Sequence, residues 1–117
     1  MTKHDLEERT FIFAYNIRKF VESMPKTMIT FDYLKQILRS SSSVSANYIE
    51  AQGGITKKDF IFRVYICRKE IKETIHWLRL LDVDLKPEIE EKRKEMLKEA
   101  NELASIFTAV TKSAKGV

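Results

Sequence analysis

Apolar residues along this chain recur at alternating steps of three and four, the spacing that keeps side chains on one side of an α-helix. Leu6, Thr10, Phe13, Ile17, Phe20 and Met24 form the first stripe. Leu34, Ile37, Ser41, Val44, Tyr48 and Ala51 form the second, and Val64, Cys67, Ile71, Thr74, Leu78 and Leu81 the third. In the fourth, Ile89, Met96, Leu103 and Val110 recur every seventh residue, with Ala100 and Phe107 between them. The stripes predict four helices, over about residues 5–24, 30–52, 57–81 and 87–113.

The punctuation between stripes agrees with these bounds. Asp5 followed by Glu8 resembles a capping box, and Pro25 disfavours helix geometry in the residue before it. Gly53 and Gly54 stop the second helix, Thr56 caps the third, and Asp59 lies in the third helix's first turn. Pro87 opens the fourth, with Glu88, Glu90 and Glu91 against its N-terminal dipole and Lys112 and Lys115 near its end. The run Ser40 to Ser43 is weak helix sequence. The apolar stripe stays in phase across it, which predicts one continuous helix. Links this short between helices of similar length force antiparallel neighbours. The expected fold is all-α, one domain over residues 1–117, an antiparallel four-helix bundle.

Composition changes this picture little. A chain of 117 residues with 3 Gly and 2 Pro has room for few turns. A single cysteine, Cys67, excludes an internal disulfide. Met1 to Arg9 is polar, with no apolar stretch of the kind a signal peptide needs, and no apolar run is long enough to span a membrane. A cytoplasmic protein is expected. Charge is more informative. The net charge is +4, and residues 54–81 carry seven basic against three acidic groups, so the excess sits on the third helix. That permits an anionic partner.

The third helix opens Phe60, Ile61, Phe62, Val64, Tyr65, Ile66 and Cys67, broken only by Arg63. A helix apolar all round is buried on more than one side. The first helix has a similar girdle from Phe11 to Tyr15, at the same height. The expectation is a subunit interface at that pole, including Phe11, Tyr15, Phe62, Tyr65 and Ile66. The alternative is a locally thick core with a few exposed rings.

The second helix reads Gln36-Ile-Leu-Arg39-Ser40-Ser-Ser-Ser43-Val44-Ser-Ala46-Asn47-Tyr-Ile-Glu50-Ala51. The third begins Lys58-Asp59-Phe60-Ile61 and continues Lys69-Glu70-Ile-Lys-Glu73-Thr74-Ile-His-Trp77-Leu78-Arg-Leu80. The first contains Glu8-Arg9-Thr10, Phe13-Ala14 and Ile17 and closes with Pro25-Lys26. These stretches resemble the bacterial four helix bundle protein family, also called the 23S rRNA intervening-sequence protein family. The resemblance runs from about Asp5 to Val110, and Ser45 stands where a typical member has Gly. It implies an up-down-up-down bundle, a ring-shaped homopentamer, a bacterial cytoplasm and nucleic acid, RNA or DNA, as the expected partner. It offers no catalytic residues to carry over.

Two polar sets follow from spacing. Arg39, Ser43, Asn47 and Glu50 make a polar stripe on the second helix that Glu70 and Glu73 of the third could meet. It reads either as a hydrogen-bonded network that fixes register or as a ligand or RNA pocket. Tyr65, Arg68, Lys69, Lys72, His76 and Arg79 fall on one face of the third helix, with Lys57 and Lys58 near its start. Such a row can follow a phosphate backbone while Tyr65 stacks on a base, or it is a solvated face that Glu73 weakens.

The only histidines, His4 and His76, are far apart with no matching acid or Cys cluster, so no metal or cofactor is expected. Cys67 reads as a buried small hydrophobe. The charges between Glu88 and Glu102 read as a solvated face, with pairs such as Glu88–Lys92 and Glu90–Lys94. The reading is a non-enzymatic homo-oligomeric bundle that binds nucleic acid through the third helix. A protein-binding scaffold is the alternative.

Overall fold

The computed structural model describes residues 2–82 and 84–115; the side chains of residues 3, 4 and 115, and so those of His4 and Lys115, lie outside the described residues. Helices α1 (Lys3–Ser23), α2 (Met28–Gln52), α3 (Lys57–Leu80) and α4 (Pro87–Lys115) form an antiparallel up-down-up-down bundle, 45 × 21 × 20 Å. Both α1 and α3 pack on α2 and on α4, and among the described residues no packing joins α1 to α3. These two helices occupy diagonal corners.

Three threonines set the helix starts. Thr2, Thr27 and Thr56 each accept from the backbone N–H three residues on, and Asp5, Thr30 and Asp59 reach back to the cap's own N–H. Each is a complete capping box. The box on α1 is therefore Thr2 with Asp5, not Asp5 with Glu8, because Asp5 already lies one turn inside. For the same reason α2 begins at Met28, before Thr30.

The core is the four stripes turned inward. Phe13, Ile17, Ile37, Val44, Val64, Ile71, Leu78, Leu103 and Phe107 are all fully buried. The serine tract does not interrupt α2. Ser41, Ser42 and Ser45 donate back to carbonyls three or four residues earlier, which keeps hydroxyls from competing for the helix ladder. Ser40 is buried and shares a 2.7 Å hydrogen bond with Thr74 of α3. Small side chains there let α2 and α3 approach closely. Cys67 is buried and donates to the Val44 carbonyl, and burial pushes its thiol up to about 12.

Exposed apolar side chains are not confined to one pole. Ile49, Ile55, Phe62 and Tyr65 lie toward the α2–α3 turn; Phe11, Ile12, Tyr15, Met28, Ile29, Phe31, Leu38 and Leu80 lie at mid-height or toward the other end. Nor do the two girdles make one patch. Phe11 and Tyr15 point outward from α1, and Phe62 and Tyr65 from α3, on opposite sides of the molecule. Nor are they at one height: Arg9 reaches Glu99 and Glu102, which sets it level with Asn101 and Lys72, so Phe11 and Tyr15 lie about three turns along the bundle from Phe62 and Tyr65. Ile66 is half-buried.

Candidate nucleic-acid interface

The polar stripe of α2 divides into two clusters. In the first, Arg39 donates to Glu70 at 3.0 Å and Glu73 at 2.7 Å across the α2–α3 seam, and to Gln36 on its own helix. Glu70 is 6% exposed, so this carboxylate is held inside by the guanidinium. Partial desolvation pulls the Arg39 pKa down, but the hydrogen bonds and charges of Glu70 and Glu73 outweigh it and the net shift is upward. In the second cluster, Asn47 donates to the Ser43 hydroxyl and accepts from Arg63 of α3 at 3.1 Å. Glu50 joins neither; it is exposed beside the α2–α3 turn, near Gly53, Gly54, Asp59 and Arg63. The structure thus brings together Arg39 with Glu70 and Glu73, and Ser43 with Asn47, but not all six.

This pairing has a consequence for the cationic row. Glu73, the acid that interrupts the row in sequence, is bound by Arg39 on the α2 side of α3. The cations lie on the opposite flank, toward α4. Tyr65, Arg68, Lys69 and Lys72 line one hollow there. Lys72 also lines the next, about 460 Å³, whose other walls come from α4: Asn101, Ala104, Ser105, Thr108, Ala109 and Lys112. Farther along, His76, Arg79, Leu80 and the acid Asp82 meet Arg93 and Leu97 around a hollow of about 470 Å³. Helix α3 therefore presents its positive charge to a groove against α4 that has small residues along its α4 wall. Lys69 is the partial exception, with its ammonium 3.9 Å from Glu70. Lys57 and Lys58 are exposed in the first turn of α3, beyond the groove's end.

Sequence reasoning missed the α4 side of this groove and one buried cation. Arg93 stands in a run of charges, yet it is 6% exposed. Its guanidinium makes paired hydrogen bonds to Glu90 at 2.6 and 2.8 Å and donates to the Leu78 carbonyl at 2.9 Å. It thereby satisfies a backbone acceptor in the last turn of α3. The hydrogen bond from Arg93 holds the Glu90 carboxyl below its usual range. The expected Glu90–Lys94 pair gives way to this one. The signal was present: Arg93 lies four after Ile89 and three before Met96, on the core stripe. On α1, Arg9 reaches across to Glu99 and Glu102 of α4, at 2.8 and 3.0 Å.

Among the described residues no group of three or more His, Cys, Asp or Glu is placed to hold a metal ion, and no helix is long and apolar enough to cross a membrane. The fold and its surfaces define a small antiparallel helical bundle with a cationic flank on α3. The chain belongs to the 23S rRNA-intervening sequence protein family, whose model matches residues 2–109. It is similar to the crystal structure of a protein with unknown function from the S23 ribosomal protein family of Bacteroides thetaiotaomicron. That likeness has a TM-score of 0.83 and 27% identity, over 96% of this chain and 99% of that one. None of the curated proteins matches the chain.

Proposed function

We propose that this chain is a non-enzymatic, homo-oligomeric bundle that binds nucleic acid along the α3–α4 flank. The observation that carries the reading is the alignment of Arg68, Lys69, Lys72 and Arg79 on one flank while most of the nearby acids are drawn to other partners, Asp82 beside Arg79 and the long Lys69–Glu70 contact being the exceptions. Glu70 and Glu73 are held by Arg39, and Glu90 by Arg93. Lys69, Lys72 and Arg79 are exposed and Arg68 half-buried, and cations that face solvent meet a phosphate backbone well, because each contact releases condensed counterions. The words 23S rRNA in the family's description make RNA the first ligand to test.

The diagonal placement of the exposed rings supports assembly. A head-to-tail contact needs two different faces on opposite sides of the subunit, and closing it gives a ring, a homopentamer in the resemblance that the sequence carries. Phe11 and Tyr15 on α1 and Phe62 on α3 supply such faces. Repetition around a ring multiplies a weak site through multivalency.

A mobility-shift series with RNA and DNA on the purified oligomer tests the binding. The expected result is binding at low salt that weakens steeply as salt rises. Absence of any shift at about 50 mM salt overturns the reading. The second reading, a protein-binding scaffold, is favoured by the exposed row Phe31, Leu38 and Ile49. These lie on the flank of α2 turned away from α3 and toward α1.

A further inference from the structure

The cations of α3 do not stand on a convex ridge. Lys72 and Arg79 line hollows shared with α4, and Arg68 and Lys69 line a hollow on α3 beside them, so together they border a shallow channel along the α3–α4 flank. We propose that the α3–α4 groove takes a single strand, its phosphates along Arg68, Lys72, Arg79 and Lys112 and a base against Tyr65. This inference rests on the nucleic-acid reading and narrows it.

Packed helices lie roughly 8–10 Å apart axis to axis, so the space between their outer faces admits one chain. A double helix, two backbones across with its bases stacked inside, is wider than one chain and would rest on the rims. The structure has opened that space. Ala104, Ser105, Thr108 and Ala109 on α4 are small, where long side chains would close the groove over Lys72. Thr108 and Asn101 turn their donors back to their own helix, onto the carbonyls of Ala104 and Leu97. The α4 wall is therefore nearly neutral and low, while charge comes from the margins. Lys72 and Lys112 both line this hollow, one from each helix, so a strand within it meets a cation from either side.

Spacing along the groove fits a strand as well. Tyr65 and Arg79 are fourteen helical steps apart on α3, about 21 Å at the helical rise, room for a short run of nucleotides. Tyr65 is 37% exposed at one end of the hollow it shares with Arg68, Lys69 and Lys72. A ring partly open to solvent beside ammonium and guanidinium groups suits an unstacked base, which a single strand offers and a duplex does not.

The test compares ligands and fills the groove. Fluorescence anisotropy is measured with an unstructured oligo-uridine, an oligo-thymidine and an RNA hairpin duplex of equal nucleotide number, at low salt. The expected result is that both single strands bind at least tenfold tighter than the duplex. Ser105→Trp, an exposed position, blocks the groove without changing charge. It is expected to weaken single-strand binding at least tenfold and leave the duplex unaffected, and Ala109→Trp to do the same. Tyr65→Ala is expected to cost about tenfold for single strands only. Salt-dependent binding in which the duplex matches the single strands, and Ser105→Trp changes neither, overturns the groove while sparing the broader reading. If none of the three ligands binds, both fall.

Discussion

Arg93 illustrates what one side chain does here. It is enclosed at the junction of α3 and α4, where its donors go to Glu90 and to the Leu78 carbonyl. Removing it leaves a partly buried carboxylate and a buried carbonyl without partners. Arg93→Met is expected to lower stability by about 2–4 kcal/mol, read by urea or thermal unfolding. Arg93→Lys should not restore it, because an ammonium cannot reproduce the planar fork. The pH dependence has a definite sign. Glu90 titrates below its ordinary value near 4.5 when folded, because Arg93 bonds to its charged form. Its contribution is complete above that ordinary value and disappears as pH falls through the lowered one. Glu90→Gln should thus be less stable than the parent at pH 7, with the gap closing in acid; a gap that widens in acid contradicts the assignment.

At the scale of elements, the close seam between α2 and α3 rests on small residues. Ser40 and Ser41 are buried, and Ser40 meets Thr74 directly. Ser41→Leu should destabilise by about 1–3 kcal/mol through overpacking, although leucine is the better helix former. Equal or higher stability in the leucine variant would show that the seam is looser than described. The four stripes were legible in the sequence because burial repeats with the helical period, and period survives even a serine tract. Helix starts were less legible. Thr56 was legible as a cap with Asp59 behind it, but Thr2 and Thr27 look like ordinary loop residues until the third residue inside each helix is seen to answer them. Arg93 was hidden by its charged neighbours Lys92 and Lys94, since composition pointed to solvent while register pointed inward. The groove was half legible: spacing on α3 put the cations on one flank, but only packing reveals which helix stands opposite and that its facing residues are small. The apolar pole was misjudged because position within a rod can be read from sequence, while the offset between rods and the corner each occupies cannot.

At the scale of the whole molecule, the bundle has different sides for different tasks. The α3–α4 side carries the cationic groove, and the outward faces of α1 and of the start of α3 carry exposed rings. Light scattering at about 50 µM is expected to find an oligomer, since faces this apolar are usually covered. Phe11→Glu and Phe62→Glu should each dissociate it, because a head-to-tail contact uses one face from each neighbour. A monomeric parent chain would remove the assembly from the account and leave each groove to act alone.

The most direct test of the account is the salt dependence of binding to an unstructured RNA, measured for the parent protein and for Lys72→Glu with Arg79→Glu. With about four or five phosphates neutralised per bundle, log affinity should fall against log salt with a slope near −3, and charge reversal should flatten that slope by at least one. A salt-independent affinity, or a slope that the double substitution leaves unchanged, contradicts the central claim.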